Sequence, residues 1–109
     1  MALRVAIFDR KGEAGKLCAE HCGVDWTDQE NQRLARQNLR QFFGDRVELE
    51  FLDLSRPGVE EVHPDIARGL REGGLLLPLL VINGKVRLQG FFDFRRLRDM
   101  VEAVGEAHG

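Results

Sequence analysis

The dipeptide Asn83-Gly84, set between two short runs of strand-forming residues, constrains this chain more than any other feature. A two-residue type I′ turn needs positive φ at both central positions, which Asn and Gly adopt at low cost. Leu79 to Ile82 and Lys85 to Gln89 are therefore predicted to pair as an antiparallel hairpin. Pro78 stands at the start of the first run, where no ladder N–H is missed. A hairpin flanked on both sides by helical patterns calls for a sheet with helices packed on it.

The other elements follow from periodicity. Leu3 to Asp9 is apolar and β-branched enough for a buried strand, and Gly12 and Gly15 then interrupt the pattern. Thr27-Asp28-Gln29-Glu30 fits a capping box, in which the Thr oxygen accepts from one orphan N–H and the Glu reaches back to another. Leu34, Leu39, Phe42 and Phe43 follow at helical spacing, with Asn38 as a polar break and Gly44 as the stop. This predicts a helix from Asp28 to Phe43. Val47, Leu49, Phe51 and Asp53 alternate with Glu48, Glu50, Leu52 and Leu54, the period of a strand. Ser55-Arg56-Pro57-Gly58 is a turn. Pro64 opens a second helix, Ile66, Ala67 and Leu70 form its apolar stripe, and Gly73-Gly74 end it. Leu97, Met100, Val101 and Val104 mark a last helix from Asp93 to Glu106. The order is β-α-β-α-β-β-α. A strand-helix-strand unit requires a parallel pair, and the hairpin adds an antiparallel edge. The expectation is an α/β chain with a four-stranded mixed sheet, residues 1–109 forming one domain.

The hydrophobic fraction of 43% makes a packed core feasible. The formal charge of −2, from 16 basic and 18 acidic side chains, gives no reason to expect nucleic acid or an anionic membrane as partner. The apolar opening ends in Asp9-Arg10-Lys11, without the order of charge, apolar stretch and cleavage site that a signal peptide has. The uncharged stretch from Leu75 to Ile82 is far short of the ~20 residues that a spanning helix takes. The chain is expected in the cytoplasm. In that reducing setting two cysteines point to redox or metal chemistry rather than a structural bridge.

Those cysteines lie in Cys18-Ala19-Glu20-His21-Cys22, a C-x-x-x-C spacing between the first strand and the first long helix. Two nearby thiols can form a reversible disulfide, one attacking a substrate and the other resolving the mixed intermediate. Reactivity needs thiolate, which a cationic neighbour promotes; His21, when protonated, and Lys16 are candidates. In a regular helix residues i and i+4 have Cα atoms about 6 Å apart, near the upper end of disulfide geometry. The segment is therefore irregular, or its disulfide strained. The alternative is a metal or metalloid site, with Cys18 and Cys22 as ligands, His21 as a third, and an open position suited to Cu(I) or Zn. A third reading makes both thiols inert and the domain an interaction module.

The element order is that of the thioredoxin core. Leu77-Pro78-Leu79-Leu80-Val81-Ile82-Asn83-Gly84-Lys85-Val86 resembles the cis-proline hairpin of thioredoxins and glutaredoxins. The resemblance implies a cis Leu77-Pro78 bond and a proline beside the redox cysteines. It also implies that Leu77 and Pro78 form the substrate-binding surface, with the Leu77 backbone presented to a bound thiol or disulfide of a protein or small molecule. By the same analogy Cys18 is the nucleophile and Cys22 the resolving thiol. Gln89-Gly90-Phe91-Phe92-Asp93 lacks the double glycine that admits glutathione, so no cofactor is expected.

Two small bacterial families are similar over most of the chain. The YuzD-like disulfide oxidoreductases share the early strand, a close cysteine pair, a helix several residues later, a strand ending like Phe51-Leu52-Asp53-Leu54, and the Pro78 hairpin. Their cysteines are one residue closer, as C-x-x-C. The ArsD arsenical metallochaperones and repressors resemble it at Val5-Ala6-Ile7-Phe8-Asp9, Cys22-Gly23-Val24-Asp25 and Leu77-Pro78-Leu79-Leu80. Only that resemblance implies a nucleic-acid partner. ArsD uses three thiols, so with two cysteines three-thiol binding within one subunit is excluded.

Other residues carry plainer expectations. His63 reads as the residue that opens the second helix, and Trp26 as an apolar staple beside the cap. Arg95, Arg96 and Arg98, among Asp93, Asp99 and Glu102, read as a solvated charged face. Phe91, Phe92 and Phe94 do not all fit inward, so one of them is a candidate contact for a homodimer.

Overall fold

The computed structural model describes residues 2–11 and 24–108. Four strands, β1 (Leu3–Asp9), β2 (Val47–Asp53), β3 (Leu79–Ile82) and β4 (Lys85–Gln89), make one sheet in the order β2-β1-β3-β4. β1 runs parallel to β2 and antiparallel to β3, and β3 is antiparallel to β4. The helices are α1 (Gln29–Phe43), α2 (Val59–Val62), α3 (Pro64–Arg71) and α4 (Phe94–His108). This mixed sheet with helices on both faces is the thioredoxin-like arrangement.

Strand alternation divides the core in two. Val5 and Ile7 face one side with Leu80 and Ile82, packed against Ala35 and Leu39 of α1 and Leu97, Val101 and Val104 of α4. Phe8, Leu79 and Val81 face the other side with Leu54 and Leu77, covered by Val59 of α2 and Ile66 and Leu70 of α3. Each large aliphatic side chain fully withdrawn from water contributes about 1.5–3 kcal/mol, so both faces hold their helices by burial. No helix among the described residues is long and apolar enough to cross a membrane.

The hairpin closes through Asn83 (φ 51°) and Gly84 (φ 83°), both left-handed. Asn83 also fastens the turn to β1: its Oδ1 accepts from the Arg4 N–H at 3.0 Å, and its own N–H donates to the Arg4 carbonyl at 2.8 Å. β4 carries a bulge, because Leu80 pairs with Leu88 while Val81 pairs with Val86, leaving Arg87 as the extra residue.

Three local features differ from the sequence reading. The cap of α1 is Asp28, whose side chain accepts from the Glu30 N–H, and not Thr27. The Asp25 carboxylate takes both the N–H and the hydroxyl of Thr27, at 2.9 and 2.6 Å, which turns the Thr side chain toward Asp25 instead of the helix. Glu30 turns forward to Arg33 instead of back to the cap. Second, the four-residue α2 precedes α3, with His63 between them and its ring edge-on to Phe8 at 5.0 Å. Third, Trp26 does not staple onto α1 alone: its ring lies within a cluster of Phe51, Phe92 and Phe94, at centroid distances of 6.3, 5.1 and 5.2 Å. Phe92 is buried, and Phe91 and Phe94 are half-buried.

Candidate functional site

The C-terminal ends of β1 and β2 and the start of β3 share one edge of the sheet. Asp9 is the register partner of Asp53, and Phe8 that of Leu79. The chain leaves β1 at this edge for the segment that contains both cysteines, and it enters β3 here through Pro78. The Leu77-Pro78 peptide bond is cis, and Pro78 is fully buried. Leu77 is buried as well, with its side chain in the second core cluster, while Leu76 before it is 61% exposed. The Leu76 N–H donates to Gln89 Oε1 at 3.1 Å, tying the approach to the proline onto β4.

Asp9 organises this edge, and sequence reasoning did not single it out. It is 1% exposed, the only polar or charged side chain among the described residues that is buried. Its Oδ1 accepts from the Arg10 N–H at 2.8 Å and its Oδ2 from the Trp26 N–H at 3.1 Å. One carboxylate thus receives backbone donors from both flanks of the cysteine segment. Burying a carboxylate is costly unless such donors compensate it, and hydrogen bonds to an ionised acceptor are about twice as strong as neutral ones. The sole cue in the sequence is an Asp closing an apolar strand.

The two flanks are fastened further. Downstream, Asn31 Nδ2 donates to the Asp25 carbonyl and Gln32 Nε2 to the Trp26 carbonyl, at 2.9 and 2.8 Å, so α1 holds the residues that precede it. Upstream, Lys11 N–H donates to Asp53 Oδ1 at 3.4 Å, and Arg10 pairs with Glu60 of α2 at 3.3 Å. Asp53 Oδ1 also accepts from the Ser55 N–H and hydroxyl at 2.9 and 2.6 Å. Partial burial would raise the Asp53 carboxyl, but the donors of Ser55 and Lys11 and the charge of Arg56 outweigh it and hold the group below its ordinary value.

Of the residues expected to act, Leu77 and Pro78 lie at this edge, whereas Cys18, His21 and Cys22 fall outside the described residues. The metal reading draws all its ligands from those same positions. Among the described residues no cluster of three His, Cys, Asp or Glu side chains is arranged to hold a metal ion.

No family model matches the chain, and no curated protein matches it. Among solved structures it is similar to a thioredoxin-2 described as a component of the malaria parasite protein secretion machinery. The identity is 16%, the match covers 94% of this chain and 82% of that one, and the TM-score is 0.47.

Proposed function

We propose that the protein is a thiol–disulfide oxidoreductase or redox carrier acting through Cys18 and Cys22. The observation that carries this reading is the shared sheet edge. The chain departs for the cysteine segment at Asp9, one residue beyond the Phe8–Leu79 pair, and the residue before Leu79 is the buried Pro78. A buried carboxylate that binds both flanks of that segment supports it too.

In the reaction the Cys18 thiolate attacks one sulfur of a substrate disulfide and expels the other as a thiolate. The Cys22 thiolate then attacks the Cys18 sulfur of the mixed disulfide and releases the second substrate thiolate. Two electrons pass to the substrate, and Cys18 and Cys22 end joined. The exposed Leu76, beside the buried Leu77-Pro78 bond, offers apolar surface where such a substrate would approach.

The test is equilibration with a graded series of reduced and oxidised dithiothreitol, followed by thiol alkylation and mass spectrometry. The reading expects one two-electron transition between a dithiol and a Cys18–Cys22 disulfide, absent in Cys18→Ser. Two thiols that alkylate independently at every potential would overturn it. So would a stoichiometric metal held by both thiols in place of the transition.

A further inference from the structure

Along α4, Arg95, Arg98, Glu102 and Glu106 follow one another at spacings of three, four and four residues, so they share one line of the helix. Within this line the two positive charges precede the two negative ones, and Asp99 lies beside the arginines. Among the described residues the one carboxylate that Arg95 and Arg98 approach is Asp99, at 4.0 and 3.7 Å. Exposed pairs of this kind contribute little. Glu102 and Glu106 make no ion pair among the described residues. The Arg98 guanidinium also lies 4.7 Å over the Phe42 ring, joining α4 to α1. Phe42 is 51% exposed and Leu34 of α1 is 40% exposed. A groove of about 1400 Å³ opens here, lined by Phe42, Arg46, Arg98, Glu102 and Glu106.

The geometry points to this face as the interface of a twofold homodimer in which the α4 helices of two copies cross antiparallel. In such an interface residue i meets j and j meets i. An axis level with position 100 sets Arg98 against Glu102 of the second copy. The Arg95–Glu106 pair is centred half a residue further on, less than about 1 Å along a helix that rises 1.5 Å per residue. One axis therefore satisfies four ion pairs, whereas parallel helices would bring like charges together. Phe42 supplies apolar surface beside them. The groove borders the start of β1 at Leu3 and Arg4, while Asp9 and Pro78 lie at the opposite end of the sheet, so both copies keep that edge open. The proposal is independent of the cysteine chemistry.

Sedimentation velocity of the full chain tests it, with circular dichroism melts showing that each variant is folded. A dimer is expected at about 50 µM in low salt, weakening several-fold as about 0.5 M salt screens the pairs. Arg98→Glu and Glu102→Arg should each weaken association about tenfold or more. The second leaves the Arg98–Phe42 contact intact. The double variant Arg98→Glu/Glu102→Arg, which reverses both signs, should recover most of the affinity. A monomer at about 200 µM in low salt, a dimer indifferent to either single change, or a double variant no better than its parents would each overturn it.

Discussion

The buried Asp9 carboxylate accepts the backbone N–H of Trp26, 17 positions along the chain, at 3.1 Å. Its other oxygen accepts from Arg10, so the stretch from 10 to 26 begins and ends on a single side chain. Asp9→Ala would leave two backbone donors without that acceptor. A loss of about 2–4 kcal/mol is expected, read as a lower urea midpoint, together with faster exchange of the Trp26 amide. Asp9→Asn retains one acceptor oxygen and should fall between the two. If the Ala and Asn variants unfold alike, the pair of hydrogen bonds to Asp9 is not what holds these flanks.

The Trp26 ring can be separated from its backbone. Its Nε1 is buried and finds no acceptor among the described residues. Trp26→Phe therefore removes an unsatisfied donor along with some volume, and should cost less than about 1.5 kcal/mol. Trp26→Ala empties the space between Phe92 and Phe94 and should cost about 3–5 kcal/mol. Equal losses in the two variants would mean that a phenyl ring cannot replace the indole in this cluster.

At the hairpin, Gly84→Ala places a Cβ on a residue with φ of 83°. The strain is conformational, since nothing lies within 4 Å of the added carbon. A loss of about 1–2 kcal/mol is expected. Asn83→Ala should cost at least as much, because it also removes the acceptor of the Arg4 N–H. Chemical denaturation at neutral pH measures both.

Asp53 sets a pH dependence. Its carboxyl is held below the ordinary value by Ser55, Lys11 and Arg56. A group whose folded pKa is depressed stabilises the fold above its unfolded value, about pH 4, and loses that contribution as pH falls through the folded value. Asp53→Asn should therefore be less stable than the parent at pH 7 and converge with it in stronger acid. A gap that stays constant from pH 7 to about pH 2 would remove the charge from the explanation.

Cysteine variants distinguish the two proposed roles. Cys22→Ser should let the attack by Cys18 proceed but stall at the mixed disulfide, which accumulates and is visible as an adduct by mass spectrometry. Cys18→Ser should form little adduct. The reverse pattern would exchange nucleophile and resolving thiol.

What the sequence made legible was local. Asn83-Gly84 specifies its turn through the φ values of two residues, and the alternation from Val47 to Phe51 needs only its own period. The cap moved by one residue because Asp25, outside the capping pattern, competes for the Thr27 hydroxyl. Val59–Val62 is too short to show a helical period. The bulge at Arg87 exists only relative to β3. Asp9 escaped notice because its burial depends on a backbone donor 17 residues away, and Cys18 and Cys22 remain a reading of spacing and order.

The bulge has a bearing on solubility. β4 is an outer strand, and such strands invite pairing with foreign chains unless the backbone is bent or charged. Here the extra Arg87 breaks the ladder, with Lys85 two positions before it. A bulge also steepens local twist, so an incoming extended peptide meets curvature and two cations instead of a flat row of amides. Lys85→Thr with Arg87→Thr is therefore expected to aggregate sooner than the parent at high concentration, read by light scattering.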